Sequence, residues 1–151
     1  MADANRNGVV ESAAALRELI RRNIDDIETR GELPAELVEA MSSGGLFRLF
    51  LPLDAGGPEA TPREAFEVCE NLARADGSAA WCASISSAIS SYLAWLAPDV
   101  LTTIATPLDE LRLSGSARPL GVATACRGGY RVTGRWDFAS NISQATWYVG
   151  T

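Results

Sequence analysis

Gly128-Gly-Tyr-Arg-Val-Thr-Gly-Arg-Trp-Asp-Phe-Ala-Ser140 is the stretch whose reading decides the fold. Tyr130, Val132, Gly134 and Trp136 alternate with Arg131, Thr133, Arg135 and Asp137, the period of two expected of a half-buried strand. Arg127-Gly128-Gly129 is turn chemistry, and Val122 to Cys126 before it is a second β-forming run, so the three together predict a hairpin. Ala145 to Val149 predicts another short strand. Three or four strands are foreseen in all, and a sheet so small that stops at Thr151, straight after a strand, leaves an open edge. This marks the chain as a piece of something longer.

Upstream of about Pro107 the texture is helical. Leu16, Leu19, Ile20, Ile24 and Ile27 share a face, which predicts one helix over about 9–30, ended by Gly31. Pro34 stands where a first helical residue belongs, and a short helix is expected to about Ser42, stopped by Gly44-Gly45. Leu46 to Leu51 is an apolar run holding one arginine, Arg48, and Asp54-Ala-Gly-Gly-Pro58 is a loop. Thr61, Pro62 and Glu64 have capping-box spacing, and Phe66, Cys69 (or Val68), Leu72 and Ala73 give the next helix an apolar face. Ser78 or Asp76 caps an uncharged stretch from Gly77 to Pro98. That stretch is long enough to span a bilayer, but six serines make it poor for lipid, so it reads as a central helix packed all round. Its aromatic side is Trp81, Ile85, Ile89 (or Ala88), Tyr92 and Leu96 (or Trp95), its narrow side alanine and serine. One or two helical turns from Asp99 to Ile104 complete the block.

Composition bounds the chemistry. The chain has 151 residues, 47% of them hydrophobic and 21% charged, enough for a sizeable core. A net charge of -6 and a pI near 4.6 argue against a nucleic-acid partner. There is no histidine, so the commonest general base and metal ligand is missing. Cys69, Cys82 and Cys126 are three, far apart and unpaired in spacing, which argues for buried thiols in a reducing cytoplasm and against disulfides or a metal site. The opening MADANRNGVVE is polar and has no apolar signal core.

Leu46-Phe-Arg-Leu followed by Pro52, Gly56-Gly57-Pro-Glu59, Ala75-Asp-Gly-Ser-Ala-Ala-Trp81, Pro119-Leu-Gly121 and the Gly128 to Ser140 run occur in an order and spacing that resembles the acyl-CoA dehydrogenase superfamily. Within it the chain is most similar to the flavin-dependent monooxygenases that hydroxylate phenols and related aromatics with reduced flavin from a separate reductase. The resemblance covers about Arg17 to Thr151. It implies an α+β fold, with an N-terminal all-α helical domain over 1–110 and the first part of an antiparallel β-barrel domain over 111–151. A C-terminal helical bundle, which supplies much of the flavin pocket and the tetramer contacts in that family, would by the same resemblance be expected beyond Thr151.

The same resemblance implies the site. Ser140 would be the catalytic residue, its hydroxyl bonded near the flavin N5, where a fixed and water-poor contact slows loss of the N5 proton. Ser114, Ser116, Pro119, Trp136, Phe138, Ser140 and Asn141 would touch the cofactor, a reduced flavin (FMN or FAD), and Trp81 the substrate pocket. A flavin reductase, a small aromatic substrate and a homotetramer are the implied partners, with no metal and no membrane. Core packing also accounts for Trp136, Phe138 and Trp81, a turn for Ser140, and a helix cap for Asp76-Gly77-Ser78. Two departures stand out. Asn141 replaces the family's glycine after Ser140, though Asn tolerates left-handed backbone. Ile89 and Ser90 stand where some relatives carry a pocket histidine. A dehydrogenase-like oxidation and a non-catalytic fragment are the alternatives; the Gly-Arg-Trp-Asp-Phe-Ala-Ser run favours the oxygenase over the first of them.

Overall fold

The apolar stripe of the first 30 residues does form a helical layer, but in three pieces. In the computed structural model, which describes residues 2–151 and side chains from Gly8 onward, these are α1 (Ala2–Ala15), α2 (Arg17–Arg22) and α3 (Ile24–Arg30). The side chains of residues 1–7, the start of the polar opening, lie outside the described residues. Ile20 and Ile27 are buried, Leu16 and Leu19 pack against the same core, and Gly31 closes α3 at a φ of 68°. α4 (Ala35–Ser43) has Pro34 as its cap rather than its first residue. α5 (Pro62–Ala73) carries the foreseen capping box: Thr61 Oγ1 accepts from Glu64 N (3.3 Å), and Glu64 Oε2 accepts from Thr61 N (2.7 Å). Its buried face is Ala65, Val68 and Leu72; Phe66 points to solvent, one position off the expected stripe.

α6 (Gly77–Ser90) is capped by Asp76, whose carboxylate accepts from Ala79 N (2.8 Å). It breaks into a 3-10 turn over Ser91–Trp95, and α7 (Pro98–Ile104) follows. No helix among the described residues is long and apolar enough to cross a membrane. The expectation of a helix packed all round is corrected. α6 buries its narrow face, Ala79, Ala80, Ala83, Ser86, Ser87 and Ser90, while Trp81 and the following Tyr92 and Trp95 are exposed. Small side chains let backbones approach, and the serines then spend their hydroxyls on those backbones.

That exchange is what allows Leu46 to Leu51 to be buried without regular structure. Ser87 Oγ accepts from Leu49 N (3.1 Å) and donates to Leu46 O (3.0 Å). Leu49 O and Leu51 O take Ala60 N (2.7 Å) and Glu59 N (3.0 Å) from the returning loop. Leu46 O, Leu49 N, Leu49 O and Leu51 O so find partners, whereas Arg48 Nε, buried in the same crossing, has none among the described residues.

Four strands follow: β1 (Leu113–Ser116), β2 (Gly121–Cys126), β3 (Gly129–Gly134) and β4 (Trp147–Gly150). β2 and β3 form the foreseen antiparallel hairpin, with Cys126 opposite Gly129. β1 pairs with β4 in parallel, Leu113 opposite Trp147, a pairing that nothing local announces. β3 is exposed along its whole length, not half-buried, because no other described element lies on either face of the hairpin. A second core of Leu51, Ile89, Leu93, Ala105, Leu111 and Leu113 fastens β1 to the helices. The cysteines are free; Cys69 and Cys82 are partly buried, but Cys126, in the unpacked hairpin, is exposed, contrary to the expectation of three buried thiols.

Candidate functional site

α6 and β1 meet through hydroxyls, and the turn after β3 is pinned to both. Ser86 Oγ accepts from Leu113 N (2.9 Å), which seats β1 on the helix. Ser114 Oγ donates to Ser140 O (2.8 Å), and Asn141 Nδ2 donates to Leu113 O (3.2 Å). The Trp81 indole N–H, from one turn earlier on α6, donates to Ser140 Oγ (2.9 Å). Ser140 is thus held at its carbonyl by β1 and at its hydroxyl by α6. Among the described residues its hydroxyl accepts this one bond and donates none.

The backbone around it is strained in two places. Asn141 has a φ of 69°, the left-handed conformation that Asn in place of Gly was expected to tolerate. Phe138 has a φ of 59°, which a bulky side chain rarely adopts and which costs on the order of 1–3 kcal/mol. The residue is 88% exposed. Strain and an unpacked aromatic together mark a position held for something other than this chain's own core.

Trp136 is engaged differently. Its indole N–H donates to Thr151 O (2.8 Å), and its ring tilts against Tyr148 at 5.9 Å. It lies so close over Gly121 and Gly134 that a Cβ there would come within 2.4 and 2.7 Å of the indole. Thr151 Oγ1 in turn donates to Ser116 O (3.3 Å), while Pro119 is exposed without a polar partner. Six of the eight residues singled out from sequence therefore fall into two groups, with Pro119 and Phe138 outside both. Trp81, Ser114, Ser140 and Asn141 form one bonded network; Trp136 and Ser116 meet through Thr151. Ser114 is fully buried and stands behind Ser140. Sequence reasoning missed Ser86 and Ser87 as connectors. Their signal was present: both serines fall on the alanine side of α6.

Two charged or titratable groups lie apart from this network. Arg48 is buried, donates to Ser42 O (2.7 Å), and has its pKa lowered by burial against an opposing pull from Asp109. The Cys82 thiol is pushed up to about 11 by burial and by the Asp76 carboxylate. A cleft of about 700 Å³ runs between Pro34, Val38 and Asp109 on one side and Gln144 on the other, and none of the network residues line it. A smaller one, about 190 Å³, is bordered by Ser78, Cys82 and Asn141.

Residues 9–98 match the sequence profile described as acyl-CoA dehydrogenase, N-terminal domain. The chain belongs to the acyl-CoA dehydrogenase family. Among curated relatives in this family it is similar to HsaA, the oxygenase subunit of a flavin-dependent monooxygenase from Mycobacterium tuberculosis (strain CDC 1551 / Oshkosh), at 32% identity over 132 residues, 87% of this chain and 34% of the relative. It is similar to the oxygenase component of an FADH(2)-dependent resorcinol hydroxylase from Rhizobium sp. (strain MTP-10005), at 30% identity over 139 residues, 92% of this chain and 34% of the relative. The crystal structure of the HsaA monooxygenase from M. tuberculosis superposes with a TM-score of 0.86 at 29% identity, over 96% of this chain and 38% of that one. The chain spans about a third of the length of the curated relatives it matches.

Proposed function

We propose that this chain is the N-terminal third of the oxygenase component of a two-component flavin-dependent monooxygenase. The reaction is ArH + O2 + reduced flavin giving ArOH + H2O + oxidised flavin, with the flavin reduced by a separate reductase. A small aromatic compound is the substrate, as the resorcinol hydroxylase relative suggests by name. The boundary between a helical domain over 1–110 and the start of a β domain over 111–151, homotetrameric assembly and a cytoplasmic location belong to the same reading.

One observation carries it: Ser140 is bonded at its carbonyl and its hydroxyl oxygen yet donates no hydrogen bond of its own among the described residues, two positions from an exposed aromatic residue, Phe138. A flat heteroaromatic cofactor with acceptor atoms along its edge suits such a pair, so the residues fit a flavin. FMN and FAD share that ring and fit equally. Bound reduced flavin supplies the activation of O2 and the transfer of one oxygen atom. Phe138 would stack on the ring and the Ser140 hydroxyl would hold a hydrogen bond to its edge. Ser114 holds the Ser140 carbonyl from β1, Asn141 ties the same turn to Leu113 O, and Trp136 braces the hairpin against β4.

The test is oxygen transfer by the natural polypeptide that carries this chain. Supplied with chemically reduced FMN or FAD, 18O2 and a panel of phenols, it should release a product bearing one 18O atom. Oxidation of an acyl thioester with no labelled product would overturn the reading in favour of a dehydrogenase. The 151 residues alone should bind oxidised flavin with a Kd weaker than micromolar in fluorescence titration, because the Ser140 and Phe138 side of the fold is open.

A further inference from the structure

We infer that Trp81 is a positioning residue: its indole N–H fixes the Ser140 hydroxyl so that the serine's proton and remaining lone pair face the ligand. A serine hydroxyl rotates freely about χ1 and about its C–O bond, and a free rotor makes a poor partner for a ligand edge. Here the Trp81 N–H occupies one of the two lone pairs of Ser140 Oγ at 2.9 Å. The Ser140 carbonyl is tied to Ser114 at 2.8 Å, so the backbone cannot follow the side chain. What remains on the oxygen is one donor and one lone pair, with a direction set by α6. An accepted N–H also draws charge from the oxygen and strengthens its O–H as a donor.

Packing within this chain does not explain Trp81, which is 57% exposed. The alanine and serine face of α6 carries the core instead. The ring's polar atom bonds Ser140 Oγ. A histidine Nε2 occupies the corresponding corner of a five-membered ring on the same Cβ, whereas phenylalanine has no donor there.

The inference rests on the proposed function only in taking the ligand to be a flavin, and the experiment separates the two. The first arm needs no ligand. In 15N-labelled protein the Trp81 indole N–H resonance should shift and exchange faster with solvent in Ser140→Ala, while that of the exposed Trp95 stays put. A Trp81 signal indifferent to Ser140→Ala would overturn the positioning role. The second arm measures the Kd of reduced FMN and reduced FAD. Trp81→Phe and Ser140→Ala should each weaken binding about tenfold, the double variant no further, and Trp81→His should recover most of the loss. A Trp81→His no better than Trp81→Phe would sink the donor argument. If Ser140→Ala leaves the flavin Kd unchanged while the indole resonance still responds, the flavin reading fails and the Trp81 to Ser140 bond stands as a structural strut.

Discussion

Replacing Ser87 by alanine removes one oxygen atom and leaves two buried groups without partners. The Ser87 side chain is almost fully enclosed, accepts from Leu49 N at 3.1 Å and donates to Leu46 O at 3.0 Å. Leu46 and Leu49 are themselves buried, so water cannot take over either bond without opening the crossing. Each orphaned buried group costs about 1–3 kcal/mol, and the small cavity left by the oxygen adds little, so about 3 kcal/mol is expected in total. For a chain of this length that corresponds to a Tm fall of about 6–12 °C. Urea denaturation followed by circular dichroism measures it, with Thr102→Ala as the control. Thr102 also bonds a carbonyl, Pro98 O at 2.8 Å, but in solvent, so its loss should stay within about 0.5 kcal/mol. Equal effects from the two variants would refute the claim that the serine face of α6 holds the irregular crossing in place.

Gly121→Ala should drive the Trp136 indole off the hairpin, since its Cβ would sit 2.4 Å from the ring; loss of the near-UV dichroism of the Trp136 and Tyr148 pair and about 1–3 kcal/mol of stability are expected, and an unchanged spectrum would contradict the packing. Asn141→Ala should be less stable than Asn141→Gly by about 1 kcal/mol in the same urea assay, because both lose the bond to Leu113 O but only alanine resists a φ of 69°. Alkylation with iodoacetamide at pH 8, read by mass spectrometry, should modify the exposed Cys126 first. With its thiol near 11, only about one Cys82 in a thousand is ionised there, and its rate should climb about tenfold per pH unit towards that value; labelling of Cys82 as fast as Cys126 would contradict its burial.

Local chemistry was enough to write down the helical block from the sequence. The capping box at Thr61, the stop at Gly31 and the hairpin turn at Arg127-Gly128 each depend on residues a few positions apart, and each formed as read. So did the left-handed turn at Asn141, which needs only that one residue tolerate a positive φ. Which face of α6 is buried was not legible, because hydrophobicity ranks Trp81 and Tyr92 above serine, whereas the fold weighs how closely a neighbouring backbone can approach and whether its polar groups find partners. The parallel pairing of β1 with β4 and the bond from Trp81 to Ser140 span 34 and 59 positions. No periodicity reaches that far. The family resemblance set the candidates, Trp81, Ser114, Ser140 and Asn141; only the packing of α6 against β1 decided that they touch.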